Sequence, residues 1–95
     1  MSNENVSKLT LDFTGCKDIG ELHKVLKETF AFPDYYGENL DALWDCLDYY
    51  CDFDLEVYVK GLSTIPDELN DYIAKMLEIF DDVHANSPNI TFTVI

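Results

Sequence analysis

Three short runs carry the apolar–polar alternation of half-buried strands, and no two of them are close enough in the chain to form a hairpin. SKLTLDF (7–13) sets Leu9, Leu11 and Phe13 against Lys8, Thr10 and Asp12. LEVYV (55–59) and ITFTVI (90–95) are the other two. The long stretches between them have helical periodicity. Successive strands joined through helices run parallel, with right-handed crossovers. The pattern therefore predicts an α/β fold, a three-stranded parallel sheet packed with three to four helices, in a single domain covering 1–95.

The helical segments can be placed from their apolar faces and end signals. Asp18 followed by Glu21 fits a capping box. Ile19, Leu22, Leu26 and Phe30, helped by Val25, then form one apolar stripe that Pro33 ends. Residues 32–38 read as a loop, with Gly37 available for a left-handed backbone and Asn39 as N-cap of a second helix. Leu40, Leu43, Trp44 and Leu47 give that helix a buried face at i, i+3, i+4, i+7. Segment 60–65 supports at most a helical turn or two. Pro66 is expected as the first residue of a third helix, whose face is Leu69, Tyr72, Ile73, Met76, Leu77, Phe80 and Val83.

Charge narrows the function classes. The 95 residues carry 19 acids against six lysines, with no arginine, for a net charge of −13. Binding to nucleic acid, phosphate or an anionic membrane calls for Lys or Arg, so direct nucleic-acid or membrane partners are not expected. A cationic partner, or simple solubility, is. No basic leader followed by an apolar run is present, and no stretch of about 18 apolar residues could span a bilayer. Cys16, Cys46 and Cys51 are odd in number and cannot all pair within the chain. Reduced thiols in the cytoplasm are the default expectation.

The acids concentrate in YYGENLDALWDCLDYYCDFD (35–54), where Asp41, Asp45, Asp48 and Asp52 recur at spacings of four, three and four. Like charges at i,i+4 destabilise a helix by about 0.2–0.5 kcal/mol per pair. Asp41 in the first turn favours the helix dipole, but Asp48 and Asp52 oppose it. Local stability does not account for the stripe, which from charge alone reads equally as a solvated face or a binding surface. Tyr35, Tyr36, Tyr49 and Tyr50 border it. Some should be exposed, since leucines already fill the buried face; rigid aromatics beside charge suit a protein-binding surface.

Enzymatic readings are weaker. Two carboxylates at i,i+4 could serve as acid and base, but such pairs arise by chance in so acidic a chain. Cys46, beside Asp45, sits in a negative field that disfavours a thiolate, and reads as a small buried hydrophobe. His23 and His84 make no metal-ligand spacing with the cysteines, and no EF-hand loop is present. No cofactor or metal is expected.

The run ELHKVLKETFAFPDYYGENLDALWDCL (21–47), densest in PDYYGENLDALWDCL, resembles the barstar family of intracellular inhibitors of barnase-type ribonucleases. The likeness extends without a gap from about Ile19 to the last strand. The family's fold, a three-stranded parallel sheet with helices, agrees with the pattern above. The resemblance implies a one-to-one complex with a barnase-like ribonuclease, by a protein that is monomeric when free. Asp45 would match the aspartate that enters the nuclease active site where a substrate phosphate sits, meeting its arginines and catalytic histidine. Tyr35 would cover that histidine, and Asp41 and Trp44 would face a basic loop. Tyr36, Gly37 and Asn39 belong to the presented loop, and Asp82 matches a peripheral acid on the last helix.

Asp48, Tyr49 and Tyr50 depart from the family, which has a Thr-Gly pair and a tryptophan there; Asp48 and Tyr50 are counted in the expected contact surface. Asn86 replaces a second peripheral acid. These departures imply a related but different nuclease or toxin. The alternatives are an immunity protein for another cationic toxin, or a binding module for a basic protein with no nuclease role.

Overall fold

The computed structural model describes residues 7–50 and 53–95. Cys51 and Asp52, the last acid of the stripe, lie outside the described residues. Strand β1 (Ser7–Asp12), helices α1 (Ile19–Phe30) and α2 (Leu40–Asp48), strand β2 (Leu55–Lys60), helix α3 (Asn70–Asn86) and strand β3 (Ile90–Val94) follow in that order. Single 3₁₀ turns at Leu62–Thr64 and Asp67–Leu69 lie between β2 and α3. The sheet is parallel throughout, in the order β1-β2-β3, with Leu11 opposite Val59 and Val57 opposite Phe92.

A strand order that advances in one direction, with crossovers of one hand, places every helix on the same face of the sheet. The burial pattern agrees. Leu11, Leu55, Val57, Val59 and Ile90 are buried under the helices, whereas Lys8, Thr10, Asp12, Lys60, Thr91 and Thr93 on the other face are exposed. Parallel sheets are usually covered on both faces and then read as continuous apolar runs. The alternation in these strands reflects a sheet covered on one face only.

The helices supply the other half of the core. From α1 it takes Leu22, His23, Leu26 and Phe30; from α2, Leu43 and Leu47; from α3, Ile73, Met76, Phe80 and Val83. The α1 stripe is rotated from the expected one: Ile19 stands at its exposed edge, and His23 occupies the buried position one turn further on. Asp18 caps α1 by accepting from the Glu21 N–H at 2.9 Å. The reciprocal arm of the capping box goes elsewhere, because the Glu21 carboxylate accepts from Lys17 N–H at 2.7 Å.

The start of α3 differs from the sequence-based expectation, while segment 60–65 stays within its limit of a turn or two. Segment 60–65 forms one 3₁₀ turn, whose three-residue period sets Leu62 and Ile65 on the same side. Pro66 does not begin α3. Its ψ of 143° is extended, the 3₁₀ turn follows, and α3 starts at Asn70. The tighter turn brings Leu69 against the core before the long helix departs. Gly61 precedes the first turn at φ 84°, where an added Cβ would lie 2.4 Å from Thr14 N and 2.8 Å from Thr14 Cα. Only glycine fits there.

Candidate functional site

The acidic stripe and the tyrosine loop meet at one end of the helical layer. Helix α1 stops at Ala31, a left-handed residue at φ 56° that caps it by donating its N–H to the Lys27 carbonyl. The chain then turns inward. Phe32 is buried and stacks on Phe30 with ring centroids 5.3 Å apart, and the Tyr36 N–H donates to Pro33 O at 3.0 Å. At the other end of the loop Glu38 is again left-handed, at φ 53°. Asn39 caps α2, its side-chain oxygen accepting from Ala42 N–H at 2.8 Å while its amide donates to Gly37 O at 3.2 Å.

The left-handed backbone expected at Gly37 falls on Glu38 instead. At Gly37 an added Cβ would lie 3.2 Å from the Asn39 amide nitrogen, a tight contact, and 3.5 Å from the Ala42 methyl, an ordinary one. Ala31 and Glu38, the non-glycine residues with positive φ among the described residues, bracket the loop. Each such conformation costs about 1–2 kcal/mol, so backbone strain is concentrated at the two ends of this segment.

The four tyrosines separate into two roles. Tyr35 and Tyr49 are 86% and 78% exposed. Tyr36 is only 6% exposed, and its hydroxyl lies 2.6 Å from His23 Nδ1. Tyr50 is half-buried; its hydroxyl donates to the Phe30 carbonyl and its ring packs against Phe30, Phe32 and Phe53. Tyr36 and Tyr50 therefore hold the loop and the end of α2 in place, and Tyr35 and Tyr49 stand out from that frame.

His23 is the residue whose part sequence reasoning missed. It is fully buried, with Tyr36 OH on Nδ1 and Tyr72 OH on Nε2 at 2.5 Å. A neutral imidazole, with one donor and one acceptor, is satisfied by two hydroxyls. Burial holds its pKa below the usual value, opposed by the Glu38 carboxylate. The histidine thereby joins α1, the loop and α3. Only the helical spacing of His23 from Leu22 and Leu26 hinted at burial; its partners lie 13 and 49 residues away.

On α2, Asp41, Asp45 and Asp48 all face solvent, opposite the buried Leu43 and Leu47. Leu40 and Trp44 are partly buried against the core. Among the described residues the ion pairs are Lys27–Asp34 at 3.5 Å and Lys60–Asp12 at 4.0 Å, and neither involves α2. Asp41 stands in the first turn, where the dipole favours it, and no basic residue occupies the last turn. Cys46 is half-buried and its thiol is pushed up, first by burial and then by the Asp45 carboxylate. Asp45 contributes, but burial leads.

A groove of about 470 Å³ runs between the loop and the end of α2. Phe32, Pro33 and Tyr35 line one side, and Asp45, Tyr49 and Tyr50 the other. Tyr35, Asp45 and Tyr50 are thus brought together; Gly37 and Asn39 shape the approach to α2. Asp82 lies on the solvent face of α3, outside the groove lining and outside the ion pairs among the described residues. No set of His, Cys, Asp and Glu suited to a metal ion occurs among the described residues. No helix among them is long and apolar enough to cross a membrane.

Fold and surface together define a class: small parallel α/β proteins that offer an acidic helix and a tyrosine-bearing loop to solvent. The chain belongs to the barstar family, described as Barstar (barnase inhibitor), which it matches over residues 6–95. It is also 39% identical over 75 residues to a Bacillus subtilis (strain 168) protein named "Putative ribonuclease inhibitor YrdF", covering 79% of this chain and 82% of that one. Membership places the chain among inhibitors rather than enzymes.

Proposed function

We propose that this chain inhibits a secreted barnase-type ribonuclease by filling its active site with α2 and the loop before it. The observation that carries the reading is the stripe Asp41, Asp45 and Asp48, exposed and without ion pairs among the described residues, beside the outward ring of Tyr35. A ribonuclease holds RNA phosphates in a cationic cleft, and carboxylates on a rigid helix can occupy the same positions. Asp45 is the central group, Tyr35 packs beside it, and Asp41 and Trp44 contact the neighbouring basic loop. Tyr36, Gly37 and Asn39 fix the loop's shape, Asp48 and Tyr50 extend the surface, and Asp82 acts from its edge.

The complex is one-to-one, formed by a free monomer in the cytoplasm that protects the producing cell. Desolvated charge pairs at the centre dominate its affinity, and rim acids chiefly speed encounter. The test is stoichiometric titration into a barnase-type ribonuclease while RNA cleavage is followed. Loss of cleavage at one equivalent is expected; full activity in excess inhibitor would refute the proposal.

A second reading is favoured by Tyr49, whose exposed ring stands where the family has a small residue. It is an immunity protein for a different cationic toxin, built on the same scaffold. Inhibition of that toxin, with barnase-type ribonucleases left active, would select it.

A further inference from the structure

We propose that the outer edge of β3 takes up an extended, lysine-bearing segment of a basic protein as an added strand, at a place separate from the groove beside α2. The inference does not rest on the inhibitor reading and concerns a part of the sheet that reading leaves unused.

β3 ends the sheet on one side, and its backbone is only partly closed there. Leu55 N–H donates to Asn89 O and Ile95 N–H donates to Val59 O, which fixes the alternation along the strand. The backbone groups of Asn89, Thr91, Thr93 and Ile95 therefore face β2, and those of Ile90, Phe92 and Val94 face outward. The end of α3 closes the first outward residue: Ile90 N–H donates to Ser87 O at 2.9 Å, and His84 Nδ1 donates to Ile90 O at 2.7 Å. Nothing comparable covers Phe92 or Val94 among the described residues, so two N–H and two C=O groups are presented to solvent.

Such a row calls for backbone partners, so the occupant is an extended chain rather than a helix. Residues 90–95 carry no charged side chain, whereas the opposite edge strand, β1, carries Lys8 and Asp12. Charged side chains ordinarily keep foreign strands off an edge. Beside the open groups lies a recess of about 130 Å³ lined by Phe80, Asp81, His84, Thr91 and Phe92. The Phe92 ring stacks on Phe80 with centroids 4.4 Å apart, and Asp81 is exposed and outside the ion pairs among the described residues. A side chain that the added strand turns toward the helices would meet that carboxylate, which selects a cation. A second copy of this chain is a poor occupant. Helix α3 carries Asp71, Glu78, Asp81 and Asp82 against Lys75 alone, and each copy has a net charge of −13. Like charges brought together across a short edge oppose association.

The probe is the peptide acetyl-Thr-Lys-Thr-Val-Thr-Lys-Thr-amide, titrated into the intact chain at low salt while amide NMR shifts are followed. Saturable shifts confined to residues 80–84 and 90–95 are expected. The same peptide methylated at its three central backbone nitrogens keeps its charge but cannot pair, and should bind at least about tenfold more weakly. Glutamate in place of both lysines should weaken binding at least about threefold, and Asp81→Asn should weaken the lysine peptide about twofold to threefold. Val94→Pro removes an outward N–H and leaves the bonds of Thr93 and Ile95 to β2 in place, so the strand should persist while peptide binding drops at least about tenfold. Shifts that fail to saturate or that centre on residues 41–48, equal binding of the methylated or glutamate peptide, or undiminished binding by either variant would overturn the proposal. The peptide comparison on the unaltered chain decides the matter even if a variant fails to fold. Dimerisation of the chain alone through residues 90–95, seen as concentration-dependent sedimentation, would also overturn it, since the edge would then belong to a second copy.

Discussion

His23 Nδ1 lies 2.6 Å from the hydroxyl of Tyr36, so the loop that carries the candidate contact residues is fastened to a buried histidine. The other ring nitrogen meets Tyr72, so one imidazole joins the loop to α1 and α3. Burial lowers the pKa of this ring in the folded protein, with the Glu38 carboxylate opposing. Above the unfolded value, near 6.5, both states are neutral and His23 adds no pH dependence. Below it the unfolded chain takes up a proton that the folded chain resists. Stability should therefore fall as the pH drops below 6.5 and through the lowered folded value. Urea midpoints between pH 8 and pH 5.5 should show this decline, and His23→Phe should flatten it. That variant should also be less stable at pH 8 by about 1–3 kcal/mol, since two hydroxyls lose their partner.

Ala31 is left-handed at the end of α1, at φ 56°. Replacing it with glycine removes about 1–2 kcal/mol of strain and adds about 0.5–1 kcal/mol of unfolded-state entropy cost. Ala31→Gly should therefore stabilise the protein by about 0.5–1 kcal/mol, raising the urea midpoint at an unchanged slope. A lower midpoint would mean that the alanine methyl, which faces the groove, contributes more packing than its backbone costs.

The strands and helices were legible in the sequence because periodicity is a local property: Leu9 and Leu11 alternate, and Leu40, Leu43, Trp44 and Leu47 repeat with a helical period. What escaped depends on tertiary neighbours or on fine backbone geometry. Nothing near His23 announces two tyrosine hydroxyls supplied from elsewhere in the fold. The inward turn of Tyr36 and the outward stance of Tyr35 follow from the turn that Tyr36 N–H closes on Pro33. Glycine's freedom pointed to Gly37 for the left-handed backbone, but the chain makes that bend one residue later, at Glu38, where nothing in local propensity points. The carboxylates were legible as a stripe, but the groove beside them was not, because its far wall comes from the loop after α1.

Gly61 should tolerate no side chain. Its φ of 84°, and the 2.4 Å that would separate an added methyl carbon from Thr14 N, combine backbone strain with a clash against main chain. Left-handed strain of about 1–2 kcal/mol and overpacking of about 1–3 kcal/mol suggest that Gly61→Ala destabilises by at least about 2 kcal/mol. Thermal unfolding would register the loss. Ribonuclease inhibition by the fraction that remains folded should be unchanged, since Gly61 is not among the groove residues.

Asp48 closes α2 at the end where the helix dipole disfavours negative charge, three residues after Asp45. Asp48→Ala should raise stability by about 0.3–1 kcal/mol, read from denaturant midpoints. Its effect on the complex should differ from that of Asp45→Ala. Truncating a central, desolvated acid should cost at least about 2 kcal/mol of affinity and chiefly quicken dissociation. Removing Asp48 should chiefly slow association, because a rim charge acts through the long-range field. Barnase and barstar are the usual illustration of such steering. Stopped-flow association and competition-dissociation rates, taken between low and physiological salt, separate the two. Salt should slow association of the unaltered chain more than it alters dissociation, and by a smaller factor once Asp48 is gone. If Asp48→Ala instead quickened dissociation as much as Asp45→Ala, Asp48 would belong to the desolvated centre, and the helix would meet its partner along the whole stripe.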